Sequence, residues 1–242
     1  MQPDVITICV DPSTWLAQRL LNANKWRPES KDVIHSAGAQ LSLLLHASRL
    51  AAVEVSAGRD LCGLRVRDLQ KQWRVGRWDL HRSRYFVESP NTHLTVQAFL
   101  SSGKTLLDLL AQLTWTEKLL AKKVHGFHKK GEDPDGELLG FLLTRQAVGR
   151  KSQAEALHSF LKAEKAAWLD GLVQARDFLA HPHQGMVQIM WELELAEAED
   201  TLIAREMAPP SIMGSPFHDY MARTAERLRD MVERYLALVK VA

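Results

Sequence analysis

Cysteine is nearly absent from this chain of 242 residues, where only Cys9 and Cys62 occur. Two cysteines so far apart exclude a disulfide framework and a cysteine-based zinc site, and they suit a reducing compartment. Long apolar runs are missing too. Nothing approaches the roughly 20 residues that a membrane-spanning helix needs. The start, Met-Gln-Pro-Asp before the short run Val5 to Val10, lacks the basic and long apolar regions of a secretory signal. A cytoplasmic protein with no membrane segment is expected. Excess charge is scarce as well: 31 basic residues against 29 acidic ones leave a net charge of +2. A nucleic-acid partner would therefore have to be met by a local patch.

What is present is an ordinary globular composition, 46% hydrophobic and 25% charged, in a chain long enough for a large core. Apolar spacing is helical almost throughout. A short helix is expected from Ser13 to about Asn24. A longer one carries Ile34, Leu41, Leu44 and Val55 and is expected to stop at Gly58. Residues from Leu64 to about Phe86 read as helix again. Ser89-Pro90-Asn91-Thr92 supplies helix-capping chemistry. Phe99, Leu106, Leu110, Leu113, Leu120 and Val124 then predict one helix of about eight turns.

The glycine-rich stretch His125 to Gly136 reads as a surface connection, followed by a short helix around Leu138 to Val148. The main core helix runs from about Gln153 to Leu179, with Leu157, Leu161, Trp168, Leu172 and Ala175 on one side. Beyond Gly185 the alternation Glu192, Leu193, Glu194, Leu195 suits a small β-hairpin near residues 186–206, although Glu and Ala would also suit helix. A final amphipathic helix carries Met221, Leu228, Val232, Tyr235 and Val239. The expected architecture is mainly α, an up-and-down helical bundle of residues 91–242 with an N-terminal helical extension of residues 1–90.

Several motifs offer chemistry without its setting. Ser102-Gly103-Lys104-Thr105 resembles the end of a phosphate-binding loop, but Ala98 stands where the first glycine belongs and no strand leads in. His125 and His128 have metal-ligand spacing without a third ligand. Asp133-Pro134-Asp135-Gly136-Glu137 lacks the alternating ligands of a calcium loop. No cofactor and no metal is indicated.

Arg176-Asp177-Phe178-Leu179-Ala180-His181-Pro182 is different. It places a fixed cation, a carboxylate and an imidazole at the end of the main core helix, where a proline forces a stop or kink. This arrangement resembles the R-x4-6-H signature of HEPN domains (higher eukaryotes and prokaryotes nucleotide-binding), in which a small polar residue such as Asp follows the arginine. Arg74 and His81 meet the looser spacing, but Val75 follows Arg74 and the helix-end setting is missing. The resemblance covers roughly residues 91–242.

The resemblance implies a metal-independent endoribonuclease in a toxin–antitoxin or defence setting, with Arg176, Asp177 and His181 as catalytic residues and an antitoxin as a partner. It also implies a composite site at a homodimer interface. Elementary geometry agrees that help is needed, because Arg176 and His181 are five residues apart, about 140° around a straight helix. His183 stands where related toxins carry a modifiable tyrosine; it is a candidate auxiliary residue.

A second feature is basic. Arg65, Arg67, Lys71, Arg74, Arg77, Arg82 and Arg84 crowd into twenty residues with Trp73, Trp78 and Tyr85 interleaved, a combination suited to RNA phosphates and bases, the first five being the leading candidates. The acidic stretch Glu192 to Asp200 would repel RNA. The alternative to an enzyme is a non-catalytic HEPN-like module that binds a nucleotide, an RNA or a protein partner.

Overall fold

The structure, a computed structural model, describes residues 26–74, 84–128, 135–180, 187–199 and 201–240. It is mostly helical. In chain order the described elements are α1 (Pro28–Arg74), β1 (Arg84–Glu88), α2 (Pro90–Thr116), α3 (Glu137–Thr144) and α4 (Lys151–Glu164). A single π-helical turn (Lys165–Leu169) leads into α5 (Asp170–Ala180). There follow β2 (Val187–Gln188), β3 (Met190–Ala198), β4 (Thr201–Ala208), β5 (Ser211–Ile212), β6 (Ser215–Pro216) and α6 (Phe217–Val239). The expected helix Ser13 to Asn24 lies outside the described residues.

The chain forms two compact units, and each draws on residues from both sides of residue 90. One unit comprises Met1–Leu45, Ser102–Trp168 and Leu228–Ala242. Its core is helix on helix: Ile34, Leu41 and Leu44 from α1, Leu106 and Leu110 from α2, Leu157 and Leu161 from α4, and Val232 and Tyr235 from α6 are all buried. The Tyr235 hydroxyl donates to the Leu110 carbonyl at 2.6 Å. Burial pushes this phenol far above its ordinary value, so it stays a neutral donor.

The same unit satisfies its helix ends with side chains. Arg150 donates to the Val239 carbonyl at 3.1 Å, and Gln153 donates to the Lys240 carbonyl at 3.0 Å, so both finish α6. Arg150 also points at the Glu117 carbonyl (3.5 Å), while the fully buried Glu117 carboxylate accepts from the Arg27 amide at 3.2 Å.

The other unit comprises His46–Ser101 and Leu169–Arg227. Here β1, β3 and β4 make an antiparallel sheet in the order β1-β3-β4, and β2, β5 and β6 a second, smaller one. Strand β3 alternates as its sequence demands: Trp191, Leu193 and Leu195 are buried, and Glu192 and Glu194 stand on the opposite face. The buried side packs with Val66 and Leu69 of α1. Ser89 starts α2, its hydroxyl accepting from the Thr92 hydroxyl at 2.9 Å, and Pro90 takes the first helical position.

Several expectations require correction. Gly58 does not end a helix; α1 runs through it. A Cβ there would lie 2.1 Å from the Trp191 ring, so this glycine permits close approach to β3. The helix expected up to Phe86 ends at Arg74, and residues 84–88 pair with β3 instead. Tyr85 and Phe86 are β-formers, and the helical spacing that Val66, Leu69 and Trp73 set does not extend to them.

The eight-turn helix also stops early, at Thr116. Lys118, with φ +56°, turns the chain, while Leu120 and Val124 remain buried in irregular backbone. The short helix ends at Thr144. In the main core helix the π turn inserts one residue, so Leu169 takes the fully buried position that regular spacing assigns to Trp168. Near residues 186–206 the β reading holds, with β3 and β4 paired about the turn after Ala198. The helical majority of the fold matches expectation.

Candidate active site

Arg176 and Asp177 occupy the last turns of α5. Burial of Leu172 and Ala175 on the same helix fixes its inner face, and the next two positions turn outward. The Arg176 guanidinium donates to the Asp177 carboxylate at 2.9 Å, with the two side chains 39% and 54% exposed. A pair this open to water adds little stability. It does hold the guanidinium fork oriented and within reach of an external anion. His181 and His183 lie outside the described residues, so the structure brings together the first two members of the expected set.

Of the basic residues, Arg65, Arg67, Lys71 and Arg74 are exposed on the last three turns of α1, while Arg77 and Arg82 lie outside the described residues. Lys71 pairs with Asp68 at 3.7 Å across one turn. Arg84, basic by sequence, belongs elsewhere: it sits on β1 and meets Glu192 at 3.3 Å. Arg205 meets Glu194 at the same distance. With Glu206, these groups form the polar outer face of the sheet. Glu192 and Glu194 of the acidic stretch thus face Arg84 and Arg205 there.

Where they fall on described residues, the motifs without a chemical setting take structural roles, while Asp133 and Pro134 lie outside the described residues. Ser102 to Thr105 lies inside α2, where Lys104 pairs with Asp108 at 2.8 Å. Asp108 also accepts the Phe127 amide at 2.9 Å and so pins the chain after α2. Glu137 does the same for His125, accepting its amide at 2.9 Å and facing its ring at 3.2 Å. Burial alone would push the Glu137 carboxyl up; the His125 amide, ring and charge and the Gly126 amide outweigh it and hold the carboxyl below its ordinary value. Cys62 is fully buried, and burial pushes its thiol up, which removes it as a nucleophile. Among the described residues, no group of three or more His, Cys, Asp or Glu could hold a metal ion. None of the described helices is long and apolar enough to cross a membrane.

One concavity has no counterpart in any sequence motif. A cleft of about 500 Å³ opens where β1 meets α2 and β3, lined by Glu88, His93, Leu94, Gln97, Ile189 and Met190. Its residues come from segments about 95 positions apart in the chain, and no local spacing connects them. Comparison with known proteins finds no matching family model, no matching curated protein and no matching solved structure.

Proposed function

We propose that this protein is a HEPN-type, metal-independent endoribonuclease that acts as a homodimer, in a toxin–antitoxin or defence setting. The observation that supports this most is the exposed Arg176–Asp177 pair, oriented at the end of the main core helix four residues before His181. RNA can cleave itself when a base removes the 2′-hydroxyl proton and the resulting oxyanion attacks the adjacent phosphorus. The P–O5′ bond then breaks, and an acid returns a proton to the leaving oxygen. Arg176 stabilises the phosphorane charge, Asp177 orients the guanidinium, and His181 moves the protons, with His183 auxiliary. The products are a 2′,3′-cyclic phosphate and a 5′-hydroxyl.

End-group analysis of RNA incubated with the purified protein in excess chelator tests this reading. Cyclic-phosphate ends on RNA, and no cutting of an all-deoxy substrate, are the expected result. Cleavage that stops on chelation, or that leaves 5′-phosphates, contradicts it.

A second reading has its own observation. Arg65, Arg67, Lys71 and Arg74 are exposed on α1, which favours a non-catalytic module that binds RNA. That reading expects RNA affinity to fall steeply with salt and with Arg65→Ala, and no cleavage at all.

A further inference from the structure

The described residues that line the cleft beside β1 all belong to the unit that holds the sheet. At about 500 Å³ the cleft lies within the roughly 300–1,000 Å³ of small-molecule sites. Leu94, Ile189 and Met190 make most of its apolar wall, and Leu94 is 62% exposed. Glu88, His93 and Gln97 supply its polar groups. His93 and Gln97 stand one turn apart on the same side of α2. Glu88 ends β1, directly across from Met190 of β3. None of these three polar side chains has a hydrogen bond or ion pair with the described residues. Their bonding capacity is open to a ligand.

The sign of charge selects that ligand. Glu88 is the one formally charged group among the described lining residues. Phe86 stands on the same face of β1, about 7 Å along the strand, and is 60% exposed. Across from Phe86 on that face is a second carboxylate, the half-buried Glu192. The start of α2 offers little to an anion. Pro90 has no N–H, the Ser89 hydroxyl accepts from the Thr92 amide at 3.4 Å, and the Ser89 carbonyl accepts from the His93 amide at 3.0 Å. A carboxylate with an open aromatic ring beside it is a setting for an organic cation. We infer that the cleft binds a small organic cation, an ammonium or guanidinium group carried on an apolar body. The cationic end meets Glu88 beside the Phe86 ring, and the body lies against Leu94, Ile189 and Met190. The His93 imidazole and the Gln97 carboxamide supply hydrogen-bond acceptors along the α2 wall. A free amine and a lysine or arginine side chain of a peptide share this chemistry.

The inference goes beyond the ribonuclease reading, since neither Arg176 nor Asp177 lines this cleft and its test measures no cleavage. Calorimetric titration of the full chain is the measurement. Phenethylammonium is the free amine, acetyl-leucyl-lysine amide the peptide form, and phenylpropionate an anion of similar shape. Wild type binds at least one of the two cations, and the tighter one identifies the source. Phenylpropionate binds about tenfold more weakly than phenethylammonium, and added salt weakens the cation's binding. Glu88→Gln lowers cation affinity about threefold to fivefold, the scale of a solvent-exposed ion pair. Glu88→Lys reverses the preference toward phenylpropionate, a switch that no loss of folding can imitate. A chain that binds neither cation, or that takes phenylpropionate as readily as phenethylammonium, overturns the inference. So does a preference unmoved by both Glu88 substitutions.

Discussion

Gly58 shows how much one missing Cβ can decide. The Trp191 ring occupies the space where that carbon would stand, and neither the helix backbone nor the fully buried indole has room to yield. Gly58→Ala is therefore expected to destabilise the protein by about 3 kcal/mol or more despite its better helix propensity. Urea unfolding measures this, and Gly58→Ala combined with Trp191→Leu should cost clearly less than the two separate losses added together. Tyr235→Phe removes the hydrogen bond to the Leu110 carbonyl inside a fully buried site and should cost about 1–2 kcal/mol. Glu137 carries a pH signature. Its carboxyl is held below the ordinary value in the folded state, so its contribution is complete above the unfolded value and is lost as pH falls through the lowered one. Acid titration of wild type beside Glu137→Gln should show the wild-type advantage disappearing only on the acid side of the usual glutamate range.

At the scale of elements, tight turns hold residues at positive φ. The β5–β6 turn is made by Met213 and Gly214, both with positive φ. Asn tolerates that backbone better than Met, so Met213→Asn should raise the melting midpoint slightly, by roughly 0.5 kcal/mol of stability. Elements with a clean local period were legible in sequence: the Glu-Leu alternation of β3, the cap at Ser89 and the apolar face of α6 all appear where their spacing places them. Elements decided by distant partners were not. Gly58 reads as a helix stop until Trp191, more than 130 residues away in the chain, is seen against it. The π turn has no sequence mark, and it reassigns the core position from Trp168 to Leu169. Leu120 and Val124 kept the apolar rhythm of α2 because they are buried, although the helix had already ended.

At the scale of the whole molecule, the candidate site was legible only as residue types at a helix end, and Arg176 and Asp177 are paired and accessible. The cleft around His93 was invisible beforehand, because it depends on which faces other elements leave uncovered. The proposed cleavage of RNA by Arg176 and His181 has one decisive measurement. That measurement is the cleavage rate of purified wild type, Arg176→Ala and His181→Ala on the same RNA, with circular dichroism confirming that all three are folded. Cleavage by wild type and a loss of at least about 100-fold in each variant are expected, in line with removal of a charge-stabilising group or a general acid–base. Cleavage that persists equally in both folded variants, or a wild type that cuts no RNA, would contradict it.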